Sequence, residues 1–377
     1  MGAIVIIGGG ITGSAAADAL ARDGQPVTLI DRSGIAAMAS GRTLGGVRQS
    51  GRHPAELPLA RAAVALWVGL HESLGVDVDY RRGGNLRLAR TPDEVGIIRG
   101  IVDSQRAQGL DLHFLPDNRA VREVAPALSQ NVLAAAYCAT DGHADPVKAT
   151  HAFADSARRH GATVREGVGA QGIEVTAGRV TGVLTTAGRI PAERVILAAG
   201  IDTPTLLRPL GLDLPLSTEV VAVVQSEPLP PTLGPVLGVA NADCAARQEV
   251  GGRLRFTNGG STDATRAPEP SATEVRDLVA RVAHVLPIAG RARVSRTWTG
   301  LVDLTPDALP VIDAPASIFG LVVAAGFSGH GFCLGPVSGL LCADLATGRS
   351  PRHDLAAFRL DRFQTAPRAA GRPELHG

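Results

Sequence analysis

Lysine is nearly absent from this sequence. Lys148 is the only one among 37 lysine and arginine residues, so arginine carries the positive charge and most roles needing an ammonium group are closed. Cysteine is scarce too: Cys138, Cys244, Cys333 and Cys342 are the full set, and no two have C-x-x-C spacing. That argues against a zinc site, an iron–sulfur cluster or a disulfide framework, and suits a reducing compartment; no metal is expected. No apolar stretch approaches the ~20 residues needed to span a bilayer. Met1-Gly2-Ala3 runs into an apolar segment without a basic leader, so the expectation is a cytoplasmic protein with no integral-membrane part. An excess of one charge is also missing. Thirty-seven basic residues face 36 acidic ones, a formal net charge of +1, which gives no long-range attraction for nucleic acid or anionic lipid.

What is present fits a folded α/β protein. The chain has 377 residues, 45% hydrophobic and 19% charged, enough for two linked domains. Ala3 to Ile7 is a short aliphatic run suited to a strand buried on both faces, and Gly8-Gly9-Gly10 breaks it. Ile11 to Arg22 reads as an alanine-rich helix and Pro26 to Ile30 as a second buried strand. Helical spacing recurs at Arg61 to Leu74, at Pro92 to Gln108 with Thr91 as N-cap, at Pro146 to His160, at Glu274 to Leu286 and at Val337 to Thr347. Tyr80 to Leu88 reads as a strand of another sheet. Thr163 to Leu197 reads as a meander of hairpins, and Val220 to Val224, Arg253 to Thr257, Arg293 to Trp298 and Phe319 to Ala325 as further strands. Because βαβ signals lie at both ends and in the middle, the domains are expected to interleave.

The strongest chemical signal is Gly8-x-Gly10-x-x-Gly13 between that first strand and helix, with Asp31 closing the next strand. Gly8 permits the tight turn, Gly10 lets a pyrophosphate reach the backbone, and Gly13 lets helix and strand pack closely. The helix start, Ile11 and Thr12 included, offers N–H groups and positive potential to phosphates. Asp31 can accept hydrogen bonds from a ribose. A glycine-rich turn without a nucleotide has the same spacing, but the strand, helix and acidic residue complete the dinucleotide context. The motif does not by itself choose between NAD and FAD.

Further segments carry a resemblance. Asp31-Arg32 followed by Ala39-Ser40-Gly41-Arg42, then Gly45-Gly46-Val47-Arg48, Asp141 to Pro146, Val195 to Gly200, Trp298-Thr299-Gly300-Leu301 with Thr305-Pro306-Asp307, and Gly326-Phe327-Ser328-Gly329-His330-Gly331-Phe332 lie in that order. Together they resemble the flavoprotein family of D-amino-acid oxidase, glycine oxidase and the sarcosine oxidase β subunit. The resemblance spans nearly the whole chain. It implies an FAD-binding Rossmann-like domain of the glutathione-reductase type, at 1–79, 145–215 and 310–377, interleaved with a mainly antiparallel β-sheet substrate domain at 80–144 and 216–309. It implies FAD held at Gly8, Gly10, Ile11, Thr12, Gly13, Asp31, Arg32, Ser40, Gly41, Arg42, Gly45, Gly46, Ala170, Ala199, Gly200, Gly326, Ser328, Gly329, His330, Gly331 and Phe332. Backbone N–H groups of the last turn, aimed at the flavin N1/C2 carbonyl edge, would stabilise the negative charge formed there on reduction.

Arg48 and Arg52 are the candidate substrate anchors, since a guanidinium forks onto a carboxylate with two parallel hydrogen bonds. A structural carboxylate or the pyrophosphate is the other use for each. His330 reads either as a base or as a hydrogen-bonding residue of its turn; His53 reads as a loop residue or a pocket wall. Three departures from relatives stand out: Cys333 where some amine oxidases have a lysine, Val302 where some D-amino-acid enzymes have an arginine, and no cysteine between Gly300 and Leu304 for covalent flavin attachment. The FAD is therefore expected to be non-covalent. Some oxidases of the family also set a lysine over the flavin to activate oxygen; with Lys148 on the central helix that place is empty, which favours a dehydrogenase.

The expected reaction is oxidation of a C–N bond in a small primary or secondary amine or amino acid, by hydride transfer to flavin N5, giving an imine. The electron acceptor is O2 or an electron-transfer partner. The rival readings are a flavin-carrying subunit of a multi-subunit amine or opine oxidase and a flavin oxidase of 2-hydroxy acids. A homo- or hetero-oligomer is compatible with either.

Overall fold

A computed structural model describes residues 2–260 and 269–365; residues 261–268 and 366–377, which the expected domain ranges include, lie outside the described residues. Two large sheets organise the chain. The first has six strands in the order Val311–Asp313, Leu321–Ala325, Arg194–Leu197, Ile4–Ile7, Val27–Asp31 and Thr163–Glu166. All neighbours are parallel except the pair Val311–Asp313 and Leu321–Ala325. Burial on both faces explains the unbroken aliphatic run at its centre. Ile4 and Ile6 enter one core with the helices Ile11–Arg22, Pro146–Arg159 and Gly331–Thr347. Val5 and Ile7 enter another, closed by a three-stranded antiparallel sheet, Ala170–Thr176, Arg179–Thr185 and Gly188–Pro191. This layering, three helices on one side and a small sheet on the other, is the Rossmann-like arrangement expected.

The second sheet has eight strands in the order Val294–Leu304, Ser217–Pro228, Arg253–Asn258, Cys244–Gln248, Val236–Val239, Asn85–Ala89, Ala134–Cys138 and His113–Leu115. It is antiparallel apart from the pair Val236–Val239 and Asn85–Ala89. Side chains alternate between its faces. Leu86, Leu88, Ala222, Val224, Leu254 and Phe256 pack against Leu278 and Val282 of the helix Ala272–Val285. The opposite face presents Asn85, Arg87, Glu219, Val221, Ala245 and Thr257 to a cavity. The chain passes between the two sheets four times: strands 4–31 belong to the first, 85–138 to the second, 163–166 and 194–197 to the first, 217–304 to the second and 311–325 to the first.

Several sequence expectations need correction. Thr163 to Leu197 is not one meander: only 170–191 forms hairpins, while its two ends join the parallel sheet. The helix expected at Arg61 to Leu74 is two, Leu57–Val68 and Leu70–Leu74, parted at Gly69. The strand expected from Tyr80 begins at Asn85. The last long helix starts at Gly331, six residues before the expected Val337, and carries Pro336 inside it. A proline there removes one helical hydrogen bond. The helix persists because it packs against Ile11–Arg22 at very close range: a Cβ on Gly339 would lie 2.5 Å from the Ala15 Cβ. Among the described residues, no helix is long and apolar enough to cross a membrane.

Candidate active site

Two adjoining cavities, of about 300 Å³ and about 450 Å³, run along the seam between the sheets. They share Gly10, Ser40, Ala198 and Gly200 and so form one slot, of a size that buries a cofactor (about 300–1,000 Å³ for ligand clefts). The inner end is lined by Gly10 to Gly13, Ser40, Arg42, Gly46, Phe327 to Phe332 and the polar face of the large sheet. The outer end is lined by Gly8, Asp31, Arg32, Ala170, Ala199 and Asp202.

The glycine turn is built for close approach. Gly8 has φ +116°, and a Cβ on it would come within 2.2 Å of the Ala198 carbonyl oxygen, so the two strand ends meet only where no side chain intervenes. The helix Ile11–Arg22 has Gly10 as N-cap and no cap from that residue's side chain. The Ser40 hydroxyl instead accepts the Ile11 N–H at 3.0 Å, which brings the segment 39–42 onto the helix N-terminus. Asp31 accepts from Gly9 N at 2.7 Å with one oxygen, and from Ser33 and Gly34 at 2.7 and 2.9 Å with the other. Its carboxylate therefore braces the turn while lining the outer cavity. Arg32 pairs with Asp202 at 2.8 Å on the rim. Arg42 binds the Ala37 carbonyl and its own carbonyl accepts from Trp298 Nε1 at 3.0 Å.

At the opposite wall Ser328 has φ +50° and its N–H reaches the Asp303 carbonyl at 2.9 Å. Gly326 N–H donates to the Asp303 carboxylate at 2.7 Å. Asp303 lines both cavities, and burial pushes its carboxyl up to about 6. Gly41, Gly45 and Gly326 do not line the slot themselves; they shape the turns behind it. The other expected cofactor positions line one cavity or the other. A glycine turn on the cavity wall, the start of a long helix beside it and a long seam fit a dinucleotide.

The innermost wall is cationic. Arg48, Arg52 and Arg87 all line it, and all three are buried or nearly so. Arg48 donates to the Ser50 carbonyl at 2.9 Å, and Asp141, fully buried, accepts the N–H groups of Gln49 and Ser50. Gln105 holds the same loop through Gly51 N and the Arg52 carbonyl. Burial, then the neighbouring Arg52 and Arg87, holds the Arg48 guanidinium well below its ordinary range. Burial and Arg52 push Arg87 down to about 10. Arg52 Nε lies 3.7 Å from Glu56 Oε1, and its buried Nη1 has no hydrogen-bond partner among the described residues. His330 Nδ1 sits 2.9 Å from Glu56 Oε2. Burial, then Arg52, pushes the imidazole down to about 4, against the pull of Glu56.

The chain matches the family described as FAD dependent oxidoreductase (DAO) over residues 3–345. It belongs to that family. Among curated relatives, glycine oxidase of Geobacillus kaustophilus is 31% identical over 372 residues, covering 95% of this chain and 96% of the relative. The sarcosine oxidase β subunit of Rhizobium meliloti is 28% identical, covering 96% and 88%. The crystal structure of the Geobacillus kaustophilus glycine oxidase superposes with a TM-score of 0.89 at 27% identity, covering 96% of this chain and 99% of that one. The L-proline dehydrogenase of P. horikoshii gives 0.87 at 27%, covering 96% and 97%. This family member is therefore an FAD-dependent oxidoreductase of the amine and amino-acid group.

Sequence reasoning missed Glu56 and Arg87. Arg87 had a signal: in Asn85-Leu86-Arg87-Leu88 it alternates with leucines, which marks the polar face of a half-buried strand. Glu56 had none, because its partner His330 lies 274 residues away. Lys148 sits on the surface, 2.6 Å from Asp79.

Proposed function

We propose that this chain oxidises the C–N bond of a small amino acid, with a primary or secondary amine, to an imine that water hydrolyses. Bound in the slot, FAD supplies the acceptor for the hydride that leaves the substrate carbon. The observation that carries the reading is the buried Arg52, whose Nη1 has no hydrogen-bond partner on a cavity wall shared with Arg48 and Arg87. A substrate carboxylate supplies the missing acceptor, and a charge-assisted bond in a dry wall fixes the orientation of the adjacent C–H bond. Asp141 and Gln105 hold the loop 48–52 rigid, so the arginines are in place before substrate arrives. Lys148, the one lysine, is paired at the surface; this favours an electron-transfer acceptor over O2.

Anaerobic mixing of the purified flavoprotein with N-methyl, cyclic, D- and L-amino acids tests the reading through loss of flavin absorbance. At least one amino acid is expected to bleach the flavin, and the 2-hydroxy acids are not. Bleaching by a 2-hydroxy acid alone would overturn it. Bleaching only after a second protein component is added would favour a flavin-carrying member of a larger complex. Relatives named as a sarcosine oxidase β subunit and as one subunit of an opine oxidase support that alternative.

A further inference from the structure

An amino acid reaches its enzyme at neutral pH chiefly as an ammonium carboxylate, and its nitrogen must lose a proton before the neighbouring carbon can release a hydride. Arg52 Nη1 and His330 Nε2, buried atoms of the cationic wall, have no hydrogen-bond partner among the described residues. The first is a donor and the second an acceptor. A carboxylate complements the first and an ammonium group the second, while Glu56, behind the wall, faces both residues. Glu56 and His330 are not accidental neighbours. Glu56 sits immediately before the helix Leu57–Val68, His330 immediately before the helix Gly331–Thr347, and they touch at 2.9 Å with 0% and 3% of their side chains exposed.

We propose that His330 Nε2 accepts the proton of the substrate's ammonium group, with Glu56 as the positioning residue that binds Nδ1–H and so keeps Nε2 bare. The proposal rests on the amino-acid reading above. In the step, an N–H bond of the ammonium breaks, its electron pair stays on the amine nitrogen, and an Nε2–H bond forms. The resulting imidazolium keeps its Nδ1–H on the Glu56 carboxylate.

The charges around the pair explain why the base is idle until substrate binds. Burial raises the Glu56 carboxyl, but His330, Arg52 and Arg48 together outweigh it and hold it below its ordinary value; it is an acceptor only, so the shared proton belongs to Nδ1. His330 is held neutral by burial and by Arg52 and Arg48. Farther off, Asp141 faces Arg48, Arg87 faces Arg52, and Cys333 on the same helix is a neutral thiol pushed up to about 11 by burial. A substrate carboxylate placed on Arg52 offsets the cation that depresses the imidazole, so binding itself raises the proton affinity of Nε2. The same guanidinium groups acidify an ammonium held beside them.

The test is stopped-flow anaerobic reduction of the holoprotein, from pH 6 to 10, by an amino acid that reduces the wild type. His330→Asn retains a donor toward Glu56 and lacks Nε2. It is expected to lower the limiting rate at pH 7 by about 10²–10⁴-fold, with the remaining rate climbing about tenfold per pH unit as free amine replaces ammonium. Isobutyrate, a carboxylate without an amine, should bind the variant within about threefold of wild type. Glu56→Gln should fall between the two, with a displaced pH profile. A wild-type rate and profile in His330→Asn would overturn the proposal. So would loss of isobutyrate binding in step with the rate and no change of pH profile, the mark of a packing role. Should the variants fail to fold, 15N spectra of histidine-labelled wild type decide: one imidazole nitrogen should gain a proton with 2-aminoisobutyrate, which has no Cα–H to lose, and not with isobutyrate; no such change would overturn the proposal. If no amino acid reduces the wild type, the amino-acid reading itself falls; if one does and the profile is unmoved, only this proposal falls.

Discussion

Replacing Arg52 by glutamine is the sharpest perturbation of the cationic wall. The side chain is 2% exposed, its Nε reaches the Arg48 carbonyl at 3.4 Å and Glu56 at 3.7 Å, and Nη1 has no hydrogen-bond partner. Glutamine preserves much of the volume and one donor but removes the charge. Truncating one member of a buried, hydrogen-bonded charge pair costs about 2–5 kcal/mol, so carboxylate binding should weaken by a factor between roughly 30 and a few thousand. The variant also leaves Glu56 with fewer cations, although His330 still donates to it at 2.9 Å. Stability should therefore fall by less than affinity. FAD binding should persist, because Arg52 makes no hydrogen bond to the dinucleotide turn and does not line the outer cavity that holds Gly8 and Asp31. The assay is spectral titration of the bound flavin with a small carboxylate, alongside FAD content and the unfolding midpoint. Carboxylate binding within threefold of wild type, with FAD retained, would refute Arg52 as the anchor.

Arg48→Ala should slow substrate reduction far more than it weakens FAD binding; an unchanged reduction rate removes Arg48 from the site. Gly8→Ala should produce protein with little FAD, since φ +116° and a 2.2 Å approach to Ala198 O combine strain with a clash, each costing about 1–3 kcal/mol; full flavin content would contradict the turn as described. His143 is buried, accepts from Arg247 Nη1 at 2.7 Å, and is pushed down to about 3 by burial and then Arg247. Its folded pKa lies below the unfolded one, so the unfolded chain binds the extra proton and stability falls as pH drops from 6.5 toward 3. By pH 5 that amounts to about 2 kcal/mol, readable as a smaller acid-induced loss in His143→Gln by denaturant titration. Asp303, pushed up to about 6 by burial, works the opposite way, and Asp303→Asn should steepen the acid loss between pH 6 and 4.

The dinucleotide end of the slot was legible because its determinants are local. Strand, glycine turn and helix follow within 22 residues, and the turn's spacing carries the geometry. The last helix was misread at its start because proline is the usual mark of a helix N-terminus, whereas Pro336 sits within the helix, which packs tightly on Ile11–Arg22. The edge strand Thr163–Glu166 looked like the opening of a hairpin; its true partner, Val27–Asp31, is more than 130 residues away, and no local pattern encodes a parallel pairing of that span. The cationic wall was half-legible for the same reason. Arg48, Arg52 and His330 lie in motif-bearing segments, while Glu56 reaches His330 only when the helices Leu57–Val68 and Gly331–Thr347 pack together, and Arg87 comes from a strand of the other sheet.

The four passages of the chain between the sheets bear on how the molecule is made. Neither sheet can complete itself from a contiguous stretch, since the strand Leu321–Ala325 must find Arg194–Leu197 and Val236–Val239 must find Asn85–Ala89. Long-range pairing of this kind makes for slow folding through compact intermediates. Residues 294–332 supply strands to both sheets and the turn 327–332 that lines the slot, so the cofactor site is complete only once that stretch has folded onto strands laid down far earlier in the chain.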